Sequence, residues 1–227
     1  MPESSEARSV LPTITQPCLL IVEGKDDKLF MEALAATFDP RLTVEVREVR
    51  GKEKLGDELT ALLNSSGFEN VRAYGIITDA DNSAAAAFQR IQDVLKKLGQ
   101  PCPKAVGQVA TAAGPRVGVF LLPGDSDRGC LEDLCLRTVR AHPLMPCVEE
   151  YLACLKRVCG RKPDGVQDGP STVCFPKNES KAKALAFLAG MYDPPKEIGR
   201  AAQRGYWDLT HPALNHLRGF VKALCAL

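Results

Sequence analysis

A chain of 227 residues with 45% hydrophobic side chains can build a real core, as one large or two small domains, which excludes a fibre or an unfolded chain. Lys plus Arg number 29 against 28 for Asp plus Glu, so the net charge of +1 gives no global field for collecting nucleic acid, and such binding would depend on a local patch. The nine cysteines are odd in number and show no CxxC pair or Cys/His cluster of zinc-ligand spacing, so reduced core thiols are expected.

Residues 1 to 17 carry Ser, Glu and prolines without periodicity, the pattern of a frayed arm. They also lack a basic segment followed by an apolar one, and no apolar run in the chain approaches the roughly 20 residues needed to cross a bilayer, so a cytoplasmic protein without a membrane partner is expected. Leu19 to Val22 is a short, continuous apolar run of the kind found in a strand covered on both faces, and Glu23-Gly24 ends it. Leu29, Phe30, Ala33, Leu34 and Phe38 then share a helical stripe, with Asp26 and Asp27 in the first turn, where the helix dipole favours anions. Thr43 to Val49 alternates as a half-exposed strand toward a sheet edge, and Leu55 to Leu63 reads as a helix.

Val71 to Asp79 is the next strand, followed from Ser83 by a helix with Phe88, Ile91, Leu95 and Leu98 in step. After a Gly/Pro-rich stretch, with a short strand expected near Val106 to Ala110, Val117 to Leu122 is a further strand. Strand and helix alternate throughout, which predicts a right-handed parallel sheet between helical layers. From Pro123 the character changes to amphipathic helices at Leu131–Val139, Val148–Cys159, Lys181–Met191 and Ala213–Leu224, a helical subdomain expected to pack on the sheet. Gly160 to Pro176 reads as a long functional or mobile loop. The expected organisation is thus an arm over 1–16, an α/β domain over 17–135 and a helical subdomain over 136–227.

The chemistry concentrates where two apolar runs stop at acids. If the strands ending at Glu23 and Asp79 are parallel neighbours, Glu23, Asp79 and Asp81 meet in the crevice outside their carboxyl ends, where open α/β sheets place ligands. Three carboxylates there would repel each other without a cation. Mg²⁺ suits such donors, because it is held by one or two carboxylates together with water and substrate phosphate. The plainer alternative is that Asp79 and Asp81 only shape a turn and cap a helix.

Glu23-Gly24 and Asp79-Ala80-Asp81, in this order and strand context, resemble the two signature motifs of the Toprim domain, shared by topoisomerases, bacterial primases and OLD-family nucleases. The resemblance covers roughly residues 17 to 135. It implies a Toprim-like fold and an acidic site that binds Mg²⁺ or Mn²⁺ for phosphodiester or phosphoryl chemistry on nucleic acid or nucleotide, with Glu23, Asp79 and Asp81 as metal ligands. The chain is also similar to an uncharacterised bacterial Toprim-related family that shares GxLEDL, here Gly129 to Leu134, and AAQxGYWD, here Ala201 to Asp208. In OLD-type nucleases an acid in a comparable LE context joins the site, which implies Glu132 as a fourth ligand; its alternative role is that of a helix-start acid.

A cation for transition-state charge could come from Lys25, Lys181 or Lys183. Lys181 shares a helical face with Ala184, Leu185, Leu188 and Met191, which favours it, although a snorkelling lysine would look the same. Asp125 and Asp127 read as turn formers, His142 and His211 as turn residues before proline, and Tyr206-Trp207 as a buried pair joining the helices to the sheet. GxGxxG and GxxxxGK[ST] are absent. A nuclease-like enzyme, a non-catalytic metal- or nucleotide-binding regulatory module, and a phosphoryl-acceptor domain all use such acids. The third fits least, since the first strand ends in Glu.

Overall fold

In a computed structural model, described for residues 13–49, 51–159 and 175–226, the first strand, β1 (Cys18–Val22), is buried over its whole length. Its alternate side chains serve two separate cores: Cys18, Leu20 and Val22 face one, Leu19 and Ile21 the other. A strand apolar on both faces must be covered by helices on both. The chain supplies them as α1 (Lys25–Ala35), β2 (Glu45–Glu48), α2 (Leu55–Leu63), β3 (Ala73–Asp79), α3 (Ala84–Lys97), β4 (Val109–Ala110) and β5 (Arg116–Leu122). Then follow α4 (Leu131–Thr138), α5 (Met145–Cys159), α6 (Glu179–Ala189), α7 (Ile198–Gln203) and α8 (Asn215–Cys225).

The sheet order is β2-β1-β3-β5-β4. The first four of these strands are parallel and the two-residue β4 pairs antiparallel at the edge, so the expected α/β architecture with a mostly parallel sheet between helices is the one found. One face carries α2 and α3, whose Leu59, Leu62, Ile91 and Leu95 pack on Leu19, Ile21, Ile76 and Val119. The other carries α1 and the later helices.

Helix α8 lies directly on the middle of that second face. Gly75 of β3 and Gly118 of β5 are register partners and form a flat seat for it: a Cβ on Gly75 would come 2.6 Å from Leu224 Cδ2, and one on Gly118 2.7 Å from Phe220 Cε2. Trp207, 1% exposed, stacks on Phe187 of α6 at 5.3 Å and donates from Nε1 to the Ile198 carbonyl at 3.0 Å. Trp207 is thus buried as expected and ties α6 to α7, while Tyr206, expected to be buried with it, is only half-buried. The α7 helix was not anticipated; six residues are too few to show a period, and Gly199 within it is required because a Cβ there would meet the Asp26 carbonyl at 2.2 Å.

Three local expectations change. Residues 13–17 are fastened rather than frayed, with Ile14 3% exposed and its N–H donating to the Ser66 carbonyl at 2.9 Å. Cys18 and Cys225 form a disulfide, because the end of α8 lands beside the start of β1, and Cys147 and Cys154 are exposed on α5, so neither reduction nor burial holds for all the thiols. The expected loop at Gly160–Pro176 lies, over residues 160–174, outside the described residues.

Candidate acidic site

The strand order places β1 and β3 side by side with α1 leaving toward one face and α3 toward the other, which makes their carboxyl ends a switch point of the sheet. The register Val22↔Ile77 sets Glu23 level with Thr78, and the Thr78 hydroxyl donates to Glu23 Oε2 at 3.1 Å. Asp79 closes β3, and its Oδ1 accepts the N–H of Leu131 at 3.0 Å, which ties the strand end to the first turn of α4.

Asp81 goes elsewhere. Its φ of +51° lies in the left-handed region, a conformation that asparagine and aspartate tolerate better than most residues. The strain is offset by a two-way backbone pairing with Gly129, at 2.9 and 3.0 Å. Its carboxylate Oδ2 lies 3.9 Å from Arg90 Nη2 of α3, with both side chains largely exposed. The expected meeting of Glu23, Asp79 and Asp81 on one ion is therefore not what the side chains do: among the described residues, no three His, Cys, Asp or Glu side chains gather closely enough to hold a metal.

A different carboxyl is drawn in. Asp27, in the first turn of α1, is pushed up from 3.8 to about 6, chiefly by burial and next by the charge of Glu23, with Glu132 and Asp26 adding to the effect. Its Oδ2 accepts the Gly24 N–H at 3.1 Å and so caps the helix back on itself. The first turn of α4 repeats the device, Asp133 Oδ2 accepting the Cys130 N–H at 2.9 Å. Two acidic helix starts thus face the same edge. Asp26 is committed to α7 through the Gly199 N–H, 3.0 Å from its Oδ1, and Asp133 to α6 through the Ser180 hydroxyl.

Glu132, in the first turn of α4, acts through its charge on Asp27, Cys130 and Cys135. Burial and the neighbouring acids push both thiols up, so neither is a thiolate nucleophile in this setting. Lys181 is exposed, and the buried face of α6 is formed by Ala184, Phe187 and Leu188, while Leu185 is 39% exposed. The stripe is thus centred away from Lys181, and the half-buried lysine is Lys183, paired with Glu149 at 2.9 Å. Lys25 pairs with Glu197 at 3.6 Å. Asp125 holds Arg137 at 2.6 Å, and His142 and His211 each accept a backbone N–H two residues on, at 3.2 and 3.1 Å.

Two openings border the edge. A narrow apolar crevice of about 60 Å³ between the sheet, α2 and α3 has Glu23, Thr78 and Arg90 among its lining. An open groove of about 700 Å³ shares Gly129 and Asp133 with the acidic edge and is flanked by Arg128, Arg137, Arg140 and Lys183, with Glu149 and Glu179 opposite in sign.

Residues 17–226 match a family model described as a protein of unknown function, DUF3226. Among solved structures, the chain is similar to the C-terminal region of the Xanthomonas campestris pv. campestris OLD protein, at 14% identity over 92% of this chain and 96% of that one, with a TM-score of 0.44. It is similar also to the C-terminal region of the Burkholderia pseudomallei OLD protein, at 14% identity over 93% and 100% of the two chains, with a TM-score of 0.43. Comparison with curated proteins gives no match.

Proposed function

We propose that this chain, which belongs to the DUF3226 family, carries an acidic site for phosphodiester chemistry on nucleic acid or nucleotide, assisted by Mg²⁺ or Mn²⁺, as its Toprim-like motifs imply. The observation that carries the reading is the placement of Glu23 and Asp79 at the ends of adjacent parallel strands, with Asp27 and Glu132 added from two helix starts. Asp27 is raised to about 6, chiefly by burial and next by the charge of Glu23, with Glu132 and Asp26 adding, so several acids act on one another at this edge. The donors are carboxylate oxygens, which suit a hard divalent cation. Among the described residues no group of three gathers, so water and substrate phosphate would complete its shell.

On this reading Glu23, Asp79 and Glu132 are the ligands of first choice, and Asp81 serves through Arg90 unless it turns inward. The cation, when bound, supplies charge neutralisation at phosphate and polarises an attacking water. Thr78 and the Leu131 N–H orient Glu23 and Asp79. Lys181 follows Ser180, whose hydroxyl is bonded to Asp133, and is the cation proposed for developing charge. A non-catalytic metal- or nucleotide-binding module is the second reading, favoured by the net charge of +1.

The test is cleavage of single-stranded or nicked DNA, RNA and a phosphodiester reporter by purified protein, with and without Mg²⁺ or Mn²⁺. Ion-dependent turnover that Asp79→Asn abolishes is expected, together with a rise in melting temperature on adding the ion. Lys181→Met should lower the rate without lowering stability. Stabilisation by the ion with no turnover on any substrate would favour the binding module, and the absence of both effects would end the metal reading.

A further inference from the structure

Helix α5 carries two apolar stripes, and among the described residues only one is packed against a neighbouring helix. Met145, Val148 and Leu152 are buried where α5 packs on α6, and the pair is clasped by Lys156–Glu179 at 3.0 Å and Lys183–Glu149 at 2.9 Å. The second stripe is Cys147, Tyr151, Cys154 and Val158. Its steps of four, three and four residues keep one line along a helix, the spacing by which helices pair. Tyr151 is 53% and Val158 50% exposed, and Cys147 and Cys154 are exposed as well. Leu144 and Leu155 continue this surface into an apolar groove of about 530 Å³ between α5 and α6, where Leu185 adds a further 39% exposed side chain. An apolar line of this kind on a soluble surface marks an interaction site.

The charges beside the stripe identify its occupant. Glu150 and Arg157 lie seven residues apart on the same flank, and neither forms a salt bridge with a described residue. A second α5 laid parallel would set Glu150 beside Leu155 of the second copy and leave the charge unmatched. Laid antiparallel about a two-fold axis, it sets Tyr151 against Cys154 of the second copy, Cys147 against Val158, and Glu150 against Arg157, each contact occurring twice. Bulky residues then meet small ones, and both flanking charges are matched.

We propose that the exposed stripe of α5 is a self-association surface that pairs antiparallel with α5 of a second copy of this chain. The pairing leaves the acidic edge formed by Glu23, Asp27, Asp79 and Glu132 out of the contact, so it stands whether or not that site is catalytic.

Sedimentation analysis of the full chain over a range of concentrations tests it. The wild-type chain is expected to form dimers. Glu150→Arg and Arg157→Glu should each weaken dimerisation at least about tenfold, because like charges then face each other twice. The double variant carrying both changes should recover the wild-type constant. All three alter exposed side chains, so unchanged thermal melting verifies that folding is intact. A short bis-maleimide should also join two chains through Cys154 in a Cys147→Ser background. Failure of the double variant to recover would refute the antiparallel pairing. A wild-type chain that stays monomeric refutes the proposal outright: rapid maleimide labelling of Cys154 would then show the stripe bare, and slow labelling would show it covered by another part of the chain.

Discussion

Replacing Asp27 by Asn should make the protein more stable, fully above about pH 6 and progressively less as the pH falls toward 4. Burial, followed by the charge of Glu23, raises this carboxyl from 3.8 to about 6. A raised carboxyl pKa means that the folded chain holds the proton more tightly than the unfolded chain does. Ionised Asp27 therefore costs stability at and above pH 6, and the cost fades as the pH falls toward 4. At roughly 1.4 kcal/mol per pH unit the shift amounts to about 3 kcal/mol, an upper figure because part of the carboxyl still meets water. Asn keeps an oxygen for the Gly24 N–H that Asp27 accepts at 3.1 Å, so the cap survives the change. Urea unfolding of both proteins between pH 4 and pH 8 measures the effect. The expected gain for Asp27→Asn is about 1 to 3 kcal/mol at pH 8 and near zero at pH 4, with a rise in melting temperature of about 2 to 4 °C per kcal/mol. Millimolar Mg²⁺ at pH 8 should narrow the gap by stabilising the wild type more. A difference independent of pH, or a variant less stable at pH 8, would show that burial and the charge of Glu23 do not raise this carboxyl.

Other consequences follow from the packing. Gly118→Val should cost about 1 to 3 kcal/mol through its clash with the Phe220 ring, and Phe220→Leu in the same chain should recover part of that loss in a thermal melt. Trp207→Ala should cost about 3 to 5 kcal/mol, because it removes a buried ring stacked on Phe187 together with the indole N–H donated to the Ile198 carbonyl. The wild-type chain should run as a disulfide-linked species in non-reducing peptide mapping, with Cys18 joined to Cys225. Reduction, or Cys18→Ser, should lower stability by about 2 to 5 kcal/mol; equal melting with and without reductant would argue against the bond.

The sheet was legible because its strands carry their own evidence. Leu19 to Val22 has no polar face, so it had to be central, and the acids that stop it had to stand at a carboxyl edge. The same reasoning placed Asp79. It failed one step further on, for Asp81, because the left-handed backbone and the pairing with Gly129 are set by the loop after β5, which nothing around Asp81 announces. The burial of Lys181, though not the role proposed for it, differs from the sequence expectation for a related reason: it stands at the margin of its stripe, where a helical wheel alone cannot say which border is covered, and the packing of α6 on α4 and α5 decides it.

Asp27 is the instructive omission. In the sequence it is an acid in the first turn of a helix, favoured there by the dipole and by its bond to Gly24, which is a sufficient local explanation. What makes it unusual comes from Glu23 at the end of β1 and Glu132 at the start of α4, and α4 reaches this edge only because β5 lies next to β3 and Leu131 is bonded to Asp79. Burial, Glu23 and Glu132 thus act on Asp27 at one edge. If a cation belongs there, these carboxyls compete for the same compensation. Asp27→Asn should then weaken ion-induced stabilisation less than Asp79→Asn does, since it removes repulsion as well as a donor, whereas an equal loss from both would make Asp27 a ligand in its own right.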